Sequence, residues 1–211
     1  MNPININAVT TIIGITVLVS LAGFSNRELL YKLMMNPYSI RHHNQWYRFF
    51  TSGFIHIDFI HLFFNMYVFY SFGVYVLYKY ISVFHEKGIY YFIMLYVGGI
   101  VFSDMPSYLR HQSNPRYNSL GASGAVSAVL FAAVFLSPLT KVSLMFLPFP
   151  MYGFVFAILY VLFEWYMGRR GGDNINHDAH IFGAIYGVVF TFIMKPPLLI
   201  EFIADIRSLI S

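Results

Sequence analysis

The residues able to do chemistry are few, and they interrupt otherwise apolar sequence. Ser123 lies between Gly121 and Gly124 in the stretch Asn118-Ser-Leu-Gly-Ala-Ser-Gly-Ala-Val-Ser-Ala128, at the mouth of a long apolar run. Its hydroxyl is either a packing group or a nucleophile. Glycines on both sides allow close backbone approach and free neighbouring N–H groups to face an oxyanion, as at any helix N-terminus. The same small residues, Gly121, Ala125, Ala128 and Ala132, recur at helical spacing and equally suit close helix packing in lipid. Two further groups contain histidine. His56, His61 and Asn65 read H-(x)4-H-(x)3-N. His61 and Asn65, four apart, share a helix face, while His56 lies about 140° round from His61, at the helix entry. They either donate into one cavity or satisfy one another and the loop backbone. The third group is Ala179-His180-Ile181-Phe182-Gly183, with Gly187 four residues on, so that His180 shares a strip with Gly183, Ala184 and Gly187.

If the small-residue strip carrying His180 packs against the one carrying Ser123, a Ser123–His180 hydrogen bond follows. A serine needs such a base to become a nucleophile, and a neutral imidazole is the commonest provider. Acyl transfer also needs donors where the carbonyl oxygen gains charge, and His61, Asn65 and the Ser123 N–H supply three. No carboxylate stands beside His180 in its own helix. Asp178 is two residues away and faces elsewhere, and Asp173 is in a loop, so the expectation is a dyad without an acidic third member.

Membrane helices must position these groups. The 211 residues are 58% hydrophobic, 20% aromatic and only 10% charged, with a mean hydropathy of +0.62, which is the composition of an integral membrane protein. Spans are expected at 6–24, 59–80, 88–102, 120–137, 151–167 and 178–194, with an amphipathic tail at 198–210. That makes one all-α membrane domain over 1–211 and leaves no room for a separate soluble domain. The first span has no basic region before it and no cleavage site after it, so it reads as retained. Residues 25–53 mix Arg27, Lys32, Arg41, His42, His43 and Arg48 with aromatic and aliphatic side chains, the composition of a long loop lying in the membrane surface. The polar stretch 103–118, with Pro106 and Pro115, reads as a loop, and 139–150, bracketed by prolines, as an interfacial connection. The absence of cysteine excludes disulfides and thiolate chemistry, and a formal charge of +4 is too small and scattered for nucleic acid. Lys and Arg favour the side opposite the termini, eight against five, although the long first loop supplies four of the eight.

Taken together, the three motifs resemble the rhomboid family of intramembrane serine proteases. They occur in that family's order on the second, fourth and sixth spans, and the resemblance runs over nearly the whole chain as the minimal six-helix form. It implies that Ser123 is the nucleophile and His180 the general base and acid, with His61 and Asn65 as oxyanion donors. His56, Gly121, Gly124, Gly183, Gly187 and Arg48, the last within the first loop, become supporting residues. No cofactor or metal is implied. The implied substrates are single-pass membrane proteins cut in or near the span, and access comes by movement of the fifth helix and of the cap at 168–177. Bacterial members place both termini in the cytoplasm, against the charge count, which implies a bacterial inner membrane and cytoplasmic termini. Two positions depart from the pattern. Tyr47-Arg48 replaces the usual Trp-Arg, and Ser127 stands where an aromatic often stacks on the catalytic histidine.

Three rivals compete with this reading. A catalytically dead relative would bind membrane proteins, but Ser123, His180, His61 and Asn65 are all present. A metal-dependent hydrolase would use His56, His61, His177 and His180, yet no carboxylate is placed to support such ligands. A transporter would show paired broken helices, which the sequence lacks.

Overall fold

A computed structural model of the chain describes residues 3–143, 149–173 and 175–209, with side chains from Ala8 onward. The centre of the proline-bracketed connection, Asn174 in the cap and Ile210 at the end of the tail lie outside the described residues. The chain is an all-α bundle. Helix α1 (Pro3–Ser25) leads into short helices of the first loop, α2 (Arg27–Leu33), α3 (Pro37–His43) and α4 (Arg48–Thr51), and a 3-10 turn at Ser52–Phe54. There follow α5 (Phe59–Phe84), α6 (Gly88–His111) and α7 (Ser123–Leu136), then the two-residue strands β1 (Lys141–Val142) and β2 (Met151–Tyr152). Helices α8 (Gly153–Arg170), α9 (His177–Met194) and α10 (Leu198–Arg207) complete the chain. By length and composition, Ala8–Ser25, the continuous α5–α6 stretch Phe59–His111 and His177–Met194 can cross a membrane.

Helix α7 is the axis of the bundle. Its fourteen residues read SGAVSAVLFAAVFL, and every one from Gly124 to Phe135 is buried, as expected of a helix apolar all round. Helices α5, α6 and α9 surround it, and Ala125, Ala128, Val129 and Ala132 join Phe69, Phe92 and Tyr96 in the main core. Against α9 the two backbones touch. A Cβ placed on Gly183 would run into the Gly124 carbonyl oxygen, and one on Gly187 into the Ala128 carbonyl oxygen. Two lipid-soluble helices gain no hydrophobic free energy by meeting each other, so this approach rests on close van der Waals contact that only glycine permits.

Two elements differ from the sequence expectation. Helix α6 runs to His111 instead of ending near residue 102, with Pro106 inside it. Proline removes one helical hydrogen bond, which membrane helices tolerate where neighbours cover the freed carbonyl. The polar residues that suggested a loop, Ser103, Asp104 and Ser107, are buried on the inner face of the extended helix. The connection after α7 forms a small antiparallel ribbon, Lys141 opposite Tyr152 and Val142 opposite Met151, which periodicity could not reveal in strands so short.

The glycine contact yields a stability test. Gly187→Ala should destabilise the bundle by about 1–3 kcal/mol, the usual cost of overpacking, read as a lowered thermal midpoint in detergent. Ala substitution at Gly14, whose Cβ would meet nothing within 4 Å, should leave that midpoint unchanged.

Candidate active site

At one end of the bundle the polar groups converge. Ser123 is the first residue of α7, where Val126 N–H to Ala122 O, 2.9 Å, is the first turn's hydrogen bond. The N–H groups of Ser123, Gly124 and Ala125 therefore precede the helical ladder. At about 1.5 Å per residue α7 is about 21 Å long, against a hydrocarbon thickness of roughly 30 Å. A helix this short starts below the membrane surface if its other end reaches the opposite face, which puts the serine at depth.

The chain that delivers Ser123 is clamped by the first loop. Met35 and Ser119 exchange backbone hydrogen bonds of 2.9 and 3.1 Å, and Gly121 N–H donates to Ser52 O at 3.0 Å. The Asn36 amide donates to the carbonyls of Pro115 and Tyr117, both at 3.1 Å, and its carbonyl oxygen accepts from Ser39 N–H. His56 closes the clamp. Its Nε2 accepts from Ala122 N–H at 3.3 Å, so its Nδ1 carries the proton and donates to Ser20 Oγ at 3.0 Å, and that hydroxyl donates to Phe54 O. Arg48 sits one layer away, with Nη1 donating to Tyr31 O at 2.8 Å and Met34 O at 2.7 Å and Nε to Gln45 Oε1 at 2.6 Å. It ties the C-terminal carbonyls of α2 to α4, and Tyr47, in place of tryptophan, puts its ring 5.6 Å from the guanidinium.

His61 lies against the loop side of Ser123. A Cβ on Gly121 would fall 2.8 Å from His61 Cε1 and 3.1 Å from Nε2, and Gly121 also has φ +119, so glycine is required there twice over. Asn65, one turn along α5, is buried and donates one amide proton to His61 O at 2.9 Å, leaving the other unspent. A cavity of about 20 Å³, room for one water, lies between Ser103, Asp104, Gly121, Ser123, Gly124, Asn176 and Ala179. Ser52 Oγ donates to Asp104 Oδ2 at 3.1 Å behind it.

His180 stands in the first turn of α9, one turn before the Gly183 contact. The start of that helix is fixed by Asn176, which caps Ala179 N–H at 3.2 Å and donates to Ser107 Oγ at 2.9 Å, and by the Arg110–Asp178 ion pair. The packing that would bring His180 to Ser123 is therefore present. The hydrogen bond itself is not closed, because among the described residues Ser123 Oγ has no hydrogen-bond partner. Catalytic hydrogen bonds are often open before substrate arrives.

The other side of His180 corrects the expectation that no carboxylate stands beside it. Glu164 of α8, only 5% exposed, places Oε2 at 3.0 Å from His180 Nδ1 and 2.6 Å from His177 Nδ1. The second contact is an aligned hydrogen bond, whereas the first is misaligned and leaves the shielded His180 Nδ1 without one. His177 Nε2 faces both oxygens of Asp173 at 3.2 Å. A ring between two carboxylates can donate from both nitrogens. Glu164 was legible in principle, being the one ionisable residue in the apolar part of the fifth span, and such residues are functional candidates by default. Its partner is not legible, because the acid and the histidine lie on different helices.

The Ser127 departure is also answered from α8. Tyr160, four residues before Glu164 and on the same face, lies nearly parallel to His180, ring centroids 6.5 Å apart at 30°. Its hydroxyl shares a 2.7 Å hydrogen bond with Ser127 Oγ. Phe131 and Phe156 pack against the same ring. The aromatic companion of His180 has moved from the fourth span to the fifth, and the small polar Ser127 makes room for it and holds its hydroxyl. The four-histidine metal set is not assembled. Both His56 nitrogens are spent on Ala122 and Ser20, and among the described residues only His177 and His180 come together with an acid, Glu164.

His56 supplies the pH test. Burial first, and then the neighbouring His61, push its pKa down to about 3. A histidine kept neutral when folded, but titrating near 6.5 when unfolded, contributes stability that is whole above 6.5 and lost progressively as pH falls toward 3. Unfolding followed from about pH 8, above that window, down to about pH 4, well inside it, should show this decline. His56→Gln, which keeps an acceptor for Ala122 N–H but cannot titrate, should flatten it.

The family model described as Rhomboid domain matches residues 43–197. Over 139 residues the chain is 31% identical to the presenilin-associated rhomboid-like protein, mitochondrial, of Rattus norvegicus and equally to that of Homo sapiens, covering 65% of this chain and 35% of each relative. It is 32% identical over 139 residues to presenilin-associated rhomboid-like protein A, mitochondrial, of Danio rerio, with 65% and 34% covered. The match thus spans about a third of the length of these curated relatives.

Proposed function

Because the chain belongs to the rhomboid family, we propose that it is an intramembrane serine endopeptidase acting through Ser123 and His180 on the membrane-spanning segments of single-pass proteins. The observation that carries this reading is the Gly124–Gly183 backbone contact, which sets the first turns of α7 and α9 side by side with an unbonded serine hydroxyl on one and a histidine on the other. In the proposed reaction His180 Nε2 takes the Ser123 proton as Oγ attacks the scissile carbonyl. The N–H groups at the start of α7, the His61 ring and the free amide proton of Asn65 stabilise the oxyanion. His180 then returns the proton to the leaving amine, and water repeats the sequence on the acyl-enzyme. Serine at depth suits a substrate that is itself a membrane helix, which must unwind locally to present an extended peptide bond.

Glu164 and Tyr160 give His180 its orientation in this scheme. Glu164 Oε2, 3.0 Å from His180 Nδ1 but out of line with it, becomes the acceptor of Nδ1–H in the reacting form, which leaves the lone pair on Nε2, the tautomer that a general base toward serine requires. The membrane setting follows from the spans and the family. The expected bacterial inner membrane has no support among the matched relatives, which are named as mitochondrial, so the proposal commits to a membrane and, for the termini, only to the shared side that six crossings impose.

A fluorophosphonate probe tests the nucleophile directly. The protein in detergent should be labelled at Ser123 and should cleave a fluorescent single-span substrate with chelator present. Ser123→Ala should abolish both. His180→Ala should slow labelling on the order of 10³-fold while the thermal midpoint is kept. Cleavage that survives Ser123→Ala would refute the proposal. Tyr160→Phe, which loses only the hydroxyl bonded to Ser127, should reduce turnover by less than about tenfold, and Tyr160→Ala by more.

A further inference from the structure

We propose that Glu164, His177 and His180 form a binding site for a divalent transition-metal ion of the zinc class, and that the bound ion switches off the Ser123–His180 pair. The second half rests on the reading of Ser123 and His180 as the reacting pair, and the first half does not. Three observations converge. One ring nitrogen from each of His177 and His180 and a Glu164 carboxylate oxygen all lie within 4.8 Å of one another, on buried or half-buried side chains, and Glu164 Oε2 faces Nδ1 of both rings. His180 Nδ1 is shielded from solvent and faces Glu164 Oε2 at 3.0 Å without the alignment of a hydrogen bond, as when two lone pairs are aimed at a common point and not at each other. His177 Nε2, the nitrogen facing away, is held by Asp173 at 3.2 Å, the carboxylate–histidine arrangement that orients a metal-ligating ring.

Two imidazoles and one carboxylate, with a fourth position for water, are a ligand set that zinc accepts in tetrahedral geometry. The chain has no cysteine, so N and O donors of this kind are the ones it can offer a borderline metal ion. Asp173 lies in the loop leading into α9 with 29% of its side chain exposed, which leaves an aqueous approach.

The proton balance states the consequence. On binding, His177 gives up its Nδ1 proton to solvent and keeps Nε2–H on Asp173, and Glu164 exchanges its hydrogen bond for the ion. Neutral His180 has a single ring lone pair. Once Nδ1 uses it on the metal, the proton sits on Nε2, which can donate to Ser123 but cannot take its proton. The ion thus removes the base without touching the serine.

The site can be tested without activity. Cobalt(II) titrated into the full chain in detergent should produce the visible d–d band of a four-coordinate ion, saturating at one ion per chain, and zinc should displace it. His177→Gln should abolish the band, and Glu164→Gln, which keeps the side-chain shape, should serve where His177→Gln fails to fold. The switch is then read as the fluorophosphonate labelling rate with zinc against the rate with chelator, compared within each variant. In the wild type zinc should lower labelling by about 10²-fold or more, the worth of a general base, and in the variants the ratio should return to one. Absence of the band, or its persistence in both variants, would overturn the site, and a bound ion that leaves labelling unchanged would overturn the switch. A protein that binds cobalt but is never labelled, with or without metal, would sink the protease reading and leave the site standing.

Discussion

Everything at this site hangs on two glycines of α9. Where Gly183 and Gly187 meet the carbonyls of Gly124 and Ala128, side chains are absent and the backbones themselves are in contact. The consequence is registration. A helix pair spaced by ordinary side chains would stand about 8–10 Å apart, too far for one turn of serine to face one turn of histidine. The small residues around Ser123 therefore carry the packing and, in the proposed function, the chemistry at once, because in lipid the packing is what sets the distance between Ser123 and His180.

The second constraint is the cost of irregular backbone at membrane depth. A helix that starts at Ser123 leaves residues 112–122 outside any helical ladder, and their polar groups need partners. The first loop supplies them. Met35, Asn36, Ser52 and His56 each bond to this segment, and Arg48 secures the loop in turn through the carbonyls of Tyr31 and Met34. Exposed Tyr31, Trp46 and Phe50 on its outer face suit a surface resting among lipid headgroups. The basic and aromatic composition of residues 25–53 thus has two faces, one suited to lipid headgroups and one that holds the approach to Ser123.

This division explains what was legible in the sequence. Gly-x-Ser-Gly, the paired histidines with Asn65, and Ala-His-x-x-Gly lie on separate helices, yet each carries its own helical spacing, so their faces could be read before their contacts. The extension of α6 past Pro106 could not be read this way, because Ser103, Asp104 and Ser107 look like loop residues until α7 is seen packed against them. Glu164 stands out as a charged residue in an apolar span, but its pairing with His180, like that of Tyr160, is hidden for a related reason. Their spacing marks one face of α8, and nothing local says that this face meets His180. Ser127 reads as a defect alone and as a fitted partner only once Tyr160 is beside it.

The transfer of support from α7 to α8 has a mechanical meaning. Ser123 and His180 sit on α7 and α9, which backbone contact locks together. The ring beside His180 and the carboxylate facing its Nδ1 both come from α8, and they share one stripe, Phe156, Tyr160 and Glu164, spaced by four. The opposite face of α8, with Leu159, Leu162, Phe163 and Tyr166, is exposed and suited to lipid. Displacing α8 would leave the distance between Ser123 and His180 set by glycine while removing, in one movement, the carboxylate that faces His180 Nδ1 and the ring that lies along its plane. In a protein with an aromatic at position 127, that support would stay with the locked pair. Here it depends on where α8 is, so the competence of His180 and the position of this helix are a single variable.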